Sequence, residues 1–118
     1  MTLTEYQNRA MATCMPSSMN HAYMINGLTA EVGEINDKIA KAIRKGWIRI
    51  EDNNIVTLDT CPPTFWDDLY KEVGDCLWFL AGICAVRNIS FEEVGWDNIN
   101  KLASRQQRGV IDGNGDNR

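Results

Sequence analysis

The tetrapeptide Glu-Val-Gly-acid occurs twice in the chain, as Glu31-Val32-Gly33-Glu34 and as Glu72-Val73-Gly74-Asp75, each with a leucine three residues upstream, Leu28 or Leu69. Residues three apart on an α-helix project from one face, so each copy presents two carboxylates side by side next to an apolar stripe. Setting Leu28 at zero and advancing about 100° per residue brings Val32, Ile35 and Ile39 within roughly 40° of it, while Glu31, Glu34 and Lys38 gather between about 240° and 300°. The same projection from Leu69 gives Val73, Cys76 and Leu80 the apolar sector and places Glu72 and Asp75 on the corresponding acidic flank. Two helices built to this plan and packed together concentrate negative charge at their seam, which is unfavourable unless a hard cation sits among the oxygens. A single helical Glu is ordinarily a solvated surface residue; the matched pair of motifs is what favours a metal site.

The rest of the chain frames these two helices. One segment from about Thr4 to Cys14 is ended by Pro16-Ser17-Ser18, and a long one runs from about Ser18 to Lys45, closed by Lys41, Arg44, Lys45 and Gly46. Residues 46–63 form a connector in which Trp47-Ile48-Arg49-Ile50 and Ile55-Val56-Thr57-Leu58 flank a polar turn and are read as a small hairpin. Cys61-Pro62-Pro63-Thr64 stops extended structure and introduces a third helix from about Phe65 to Arg87. Ser90-Phe91-Glu92-Glu93 has capping-box spacing and starts a fourth, lasting to about Gln106. Gly33 and Gly74 occupy the same slot of the two motifs, which suggests a close backbone approach there. The fold class is all-α, a helical bundle, with one domain over residues 1–108 and a flexible Gly- and Asn-rich tail over 109–118.

Composition narrows the function classes. A formal charge of −4 argues against a general nucleic-acid surface, although Lys38, Lys41, Arg44, Lys45 and Arg49 supply a local phosphate environment. Cys14, Cys61, Cys76 and Cys84 show no metal-site spacing and are read as reduced thiols of a cytoplasmic protein. The most apolar stretch, Leu77 to Val86, is far below the roughly 20 residues that span a bilayer, so no membrane partner is expected. His21 is the only histidine and lies outside both acidic motifs, so ligation by oxygen alone favours Mg²⁺ or Mn²⁺. Asn98, Lys101 and Arg105 recur at helical spacing in the fourth segment; an internally satisfied Asn with two solvated cations and a phosphate or metal-water contact are both open readings. Trp78 is read first as core, with stacking on a base as the alternative.

Gly27-Leu28 followed by Glu31-Val32-Gly33-Glu34 and Lys38, then Glu72-Val73-Gly74-Asp75 with Leu77-Trp78, then Asn98 with Lys101-Leu102, resembles the MazG-like nucleotide pyrophosphohydrolases. The similarity extends from Tyr6-Gln7 to about Arg108. It implies a MazG-type bundle of about four helices per chain, assembled as a homodimer or homotetramer, that cleaves a nucleoside triphosphate to the monophosphate and diphosphate with Mg²⁺ or Mn²⁺. Carried over residue by residue, Glu31, Glu34, Glu72 and Asp75 match the metal ligands, Glu34 helps to activate water, and Lys38 and Lys101 meet phosphate oxygens. Asn98, Arg105 and Trp78, from the reading of the residues above, are the further substrate-binding candidates. The connector between the acidic motifs is longer than in compact members of the family. The competing class is a non-catalytic helical interaction module whose acidic seam pairs with a basic partner.

Overall fold

In the computed structural model, which describes residues 1–118, the order is α1 (Leu3–Met11), a 3₁₀ turn (Pro16–Ser18), α2 (His21–Arg44), β1 (Ile48–Glu51), β2 (Asn54–Thr57), α3 (Phe65–Ala85) and α4 (Phe91–Gln107). Each of three helix starts is set by a side-chain acceptor. Thr2 and Glu5 form a reciprocal capping box on α1, so that helix begins before Thr4 and stops at Met11 rather than Cys14. Asn20, with extended backbone at φ −153° and ψ 158°, accepts from the Tyr23 amide and starts α2 at His21 instead of Ser18. Ser90 accepts from the Glu93 amide at the head of α4.

The all-α expectation needs one amendment. The connector holds a two-stranded antiparallel sheet, with Ile48 opposite Thr57 and Glu51 opposite Asn54. Its turn places Asp52 and Asn53 at φ 50° and 64°, the left-handed region that a two-residue hairpin loop demands and that Asp and Asn tolerate best.

α2 and α3 form the central pair and run antiparallel, as the succession of contacts along them shows. Near the start of α2, Met24 lies against Gly82, and a Cβ on Gly82 would come within 2.3 Å of the Met24 sulfur. One turn on, Gly27 makes room for the Phe79 ring, which a Cβ there would approach to 2.1 Å. At the far end Ala42, Ile48 and Phe65 form a buried cluster, with Ile39, Trp47, Ile55 and Cys61 packed around it. The close approaches are therefore at Gly27 and Gly82. Gly33 and Gly74, expected to serve that purpose, face open space within 4 Å, because they lie outside the strip where the two helices touch.

α1 packs on α3 and α4, and α4 rests on α1 and more lightly on α3. Gln7 stitches these elements together: its amide nitrogen donates to the carbonyls of Ala81 and Ile89, and its carbonyl accepts from the Phe91 amide. The result is an open arrangement rather than a closed four-helix bundle. Its accessible surface of 8386 Å² exceeds the roughly 6,500 Å² usual for a folded monomer of this mass. Part of this open surface is apolar: Val32 and Ile43 on α2 are 47% and 48% exposed, and Val73 and Leu80 on α3 are 45% and 41% exposed.

Residues 109–118 contain turns and no helix, and they fold back on the end of α4. The Arg118 guanidinium donates to the carbonyls of Val110, Ile111 and Gly115, while Arg108 donates to the Arg118 carbonyl at 2.8 Å.

Replacing a helical Gly by Ala ordinarily stabilises by about 1 kcal/mol. At Gly27 and Gly82 the sign reverses, because the added methyl overlaps the Phe79 ring or the Met24 sulfur, and overpacking costs about 1–3 kcal/mol. Urea denaturation of Gly27→Ala and Gly82→Ala is expected to show lowered midpoints; unchanged or raised midpoints would contradict this account of the α2–α3 contact.

Candidate metal centre

Midway along the α2–α3 pair, Glu31 comes to face Glu72 and Asp75. One carboxylate oxygen from each lies within 4.8 Å of the other two. The register set by Met24–Gly82 and Gly27–Phe79 on one side and by Ala42–Phe65 on the other brings these acids level. Lys38, two helical turns beyond Glu31, reaches across with Nζ 3.2 Å from Glu72 Oε1. One cation against three carboxylates leaves a surplus of two negative charges when all are ionised, the amount one divalent ion neutralises.

The electrostatics of the side chains record that surplus. The Glu31 carboxyl is held above its ordinary value of 4.5, first by partial burial and then by the charges of Asp75, Glu72 and Glu34, with a hydrogen bond to Glu72 adding to the effect. The Cys76 thiol is likewise pushed up by burial and by Glu31, Asp75 and Glu72, and it is not part of the three-acid group. The three acids offer oxygen donors only, a set whose chemistry suits a hard divalent cation.

A neighbour that sequence reasoning did not assign is Tyr6 of α1. Burial and the Asp75 charge raise its phenol above the ordinary value of 10.0. No spacing in the sequence signals it, since its place comes from the packing of α1 on α3.

The other expected site residues are distributed as follows. Glu34 is exposed and lies outside the three-acid group, although its charge still reaches Glu31. The Trp78 indole N–H donates to the Ala10 carbonyl at 3.1 Å and to the Thr13 hydroxyl at 3.0 Å, so its polar edge ties α3 to α1. Asn98 is exposed beside Lys101 on α4. Lys101 meets Asp116 at 3.3 Å. Arg105, expected at the substrate, is instead only 4% exposed and donates to the carbonyls of Gly115 and Asp116 and to the Asp116 carboxylate. Its guanidinium is occupied by the tail because the chain turns back over α4 directly after Gly109.

The family description "MazG nucleotide pyrophosphohydrolase domain" matches residues 19–110. The chain belongs to the MazG family. It is 36% identical over 97 residues to the Gene 37 protein of Mycobacterium phage L5, covering 82% of this chain and 75% of that protein. No solved structure matches it. The matched MazG region contains Glu31, Glu34, Lys38, Glu72 and Asp75 together with α4, whereas Tyr6 lies ahead of it and Asp116 beyond it.

The raised Glu31 value carries a pH dependence of definite sign. An acid whose folded-state pKa is raised stabilises the fold on the acid side, and that contribution is lost as pH rises from the unfolded value through the folded one. In the metal-free MazG domain, stability is therefore expected to fall from about pH 4.5 upward, and Glu31→Gln to remove that part of the slope and raise the neutral-pH melting temperature. Thermal melts in EDTA across this range check it; a Glu31→Gln protein with the wild-type slope and a lower melting temperature would contradict it.

Proposed function

We propose that the chain is a Mg²⁺-dependent nucleoside triphosphate pyrophosphohydrolase, with Mn²⁺ as a substitute ion, converting a nucleoside or deoxynucleoside triphosphate and water to the monophosphate and diphosphate. The observation that carries this reading is the convergence of Glu31, Glu72 and Asp75 with Lys38 on one helical seam in a chain of the MazG family. Glu31, Glu72 and Asp75, joined by Glu34, are the residues that would hold the ion. When bound, such an ion supplies Lewis-acid polarisation of a phosphoryl oxygen and a bound water of lowered pKa.

The chain's own groups do the remaining work. Glu34, exposed at the edge of the acidic group, is assigned the proton of the attacking water. Lys38 exchanges part of its contact with Glu72 for a phosphate oxygen, and its charge offsets the negative charge that builds on the transferring phosphoryl group. Asn98 and Lys101 are assigned phosphate contact from α4. Lys101 is held only by Asp116, whose side chain is 85% exposed, and exposed pairs of this kind contribute little, so the lysine is free to exchange partners. No covalent nucleophile is required.

The open apolar faces of α2 and α3 support assembly as a homodimer or homotetramer. Val32 and Val73 stand beside Gly33 and Gly74, whose surroundings are empty in the single chain, so a second copy is able to approach both helices closely. No helix is long and apolar enough to cross a membrane, and four unpaired cysteines suit a cytoplasmic enzyme.

A panel of standard and modified nucleoside triphosphates assayed with Mg²⁺ or Mn²⁺ is expected to yield monophosphate and diphosphate from at least one member. Glu72→Gln and Asp75→Asn should each lower kcat/KM on the order of 100-fold or more with unchanged helical circular dichroism. Absence of turnover across the panel, together with no metal-dependent thermal shift, would favour the non-catalytic interaction module. Sedimentation equilibrium should give a dimer or tetramer; a monomer at micromolar concentration would contradict the assembly reading.

A further inference from the structure

The connector that lengthens the gap between the acidic motifs closes a cavity of about 240 Å³. Its lining includes Lys38 and Lys41 from α2, Lys45 at the cap of that helix, Trp47 and Pro62 from the connector, and Thr64 at the start of α3. A water needs only about 10–15 Å³ of such space, so the cavity has room for a small polyanion. We propose that this cavity receives the leaving diphosphate end of a triphosphate chain, with Lys41 and Lys45 as its specificity-determining residues. The proposal rests on the pyrophosphohydrolase reading and extends it by assigning the contacts to the diphosphate end to Lys41 and Lys45, two residues outside the acidic motifs.

Three observations carry the argument. First, the cavity adjoins the acidic group, because Lys38 lines it while its Nζ lies 3.2 Å from Glu72 Oε1. A phosphate chain reacting at the seam therefore has a cationic cavity next to it.

Second, the cavity has a cationic surplus. Asp68 is the only acid in the lining, and its carboxylate is engaged 2.8 Å from Lys71, which lies outside the lining. Lys41 pairs only with Asp37 at an exposed site, a contact worth little in water. Lys45 has no carboxylate partner and lies 4.4 Å over the Trp47 ring, a contact that positions the ammonium without neutralising it.

Third, the first turn of α3 opens at the cavity, and Thr64 places no side-chain oxygen on its amides. The same turn carries Asp67 and Asp68, the latter paired with Lys71, so this helix start adds only a small field to that of the lysines.

Titration calorimetry with inorganic pyrophosphate in EDTA reads the cavity without any turnover. Wild-type protein is expected to bind, with affinity that falls as salt rises, and Lys41→Ala/Lys45→Ala to weaken binding about tenfold or more. Arg87→Ala, outside the lining and exposed beyond the end of α3, should leave it unchanged. Pyrophosphate affinity equal in the wild type and the double variant, or no binding by the wild type, would overturn the proposal. In steady-state assays the double variant should raise KM for the triphosphate while its monophosphate product inhibits as before. A protein that binds pyrophosphate through these lysines yet turns over no nucleotide would reject the reaction and retain the cavity. An active enzyme indifferent to both substitutions would reject the cavity alone.

Discussion

Mutual repulsion of the carboxylates on the α2–α3 seam is the constraint to which the rest of the molecule answers. Glu31, Glu72 and Asp75 converge within 4.8 Å with Lys38 as the single cation in contact, and the Glu31 carboxyl is held above its ordinary range first by burial and then by these neighbouring charges. The seam persists because contacts on either side fix the helix register. Phe79 seated on Gly27 and Met24 on Gly82 hold one end, and the Ala42–Ile48–Phe65 cluster holds the other. A slip of one residue in this register would turn the acids away from each other and would also drive the Phe79 ring into a side chain.

The two acidic helices and their flanks were legible because helical periodicity acts over a few residues and leaves a trace in spacing. The hairpin was legible for a related reason, since Asp52-Asn53 supplies the left-handed turn between two apolar runs. What the spacing did not reveal came from contacts between distant parts of the chain. The matched Gly33 and Gly74 suggested the place of closest approach, yet Gly27 and Gly82 occupy it, because only the tertiary crossing decides which side of each helix is covered. Arg105 looked like a free cation on a helical stripe, and nothing local foretold that the tail would turn back to bind it. Trp78 and Tyr6 are similar cases: their surroundings are set by the packing of α1 on α3, through the indole bond to Ala10 and the influence of Asp75.

The same pair of helices links the site to the proposed assembly. Each helix is apolar over a wider arc than one neighbour covers, so the strip facing its partner is buried while Val32, Ile43, Val73 and Leu80 remain on the surface. Any second copy seated there would stiffen the two backbones that carry the acids, and would do so without altering the acids themselves. In this reading the stability of the apolar face and the geometry of the metal centre are two consequences of one helix packing.

The central claim is that three acids from two helices share one divalent ion. Anomalous diffraction from crystals grown with Mn²⁺ locates such an ion directly. A peak within coordination distance of Glu31, Glu72 and Asp75 is the expected result, and an ordered seam without a peak, or with its only peak elsewhere on the chain, would contradict the account.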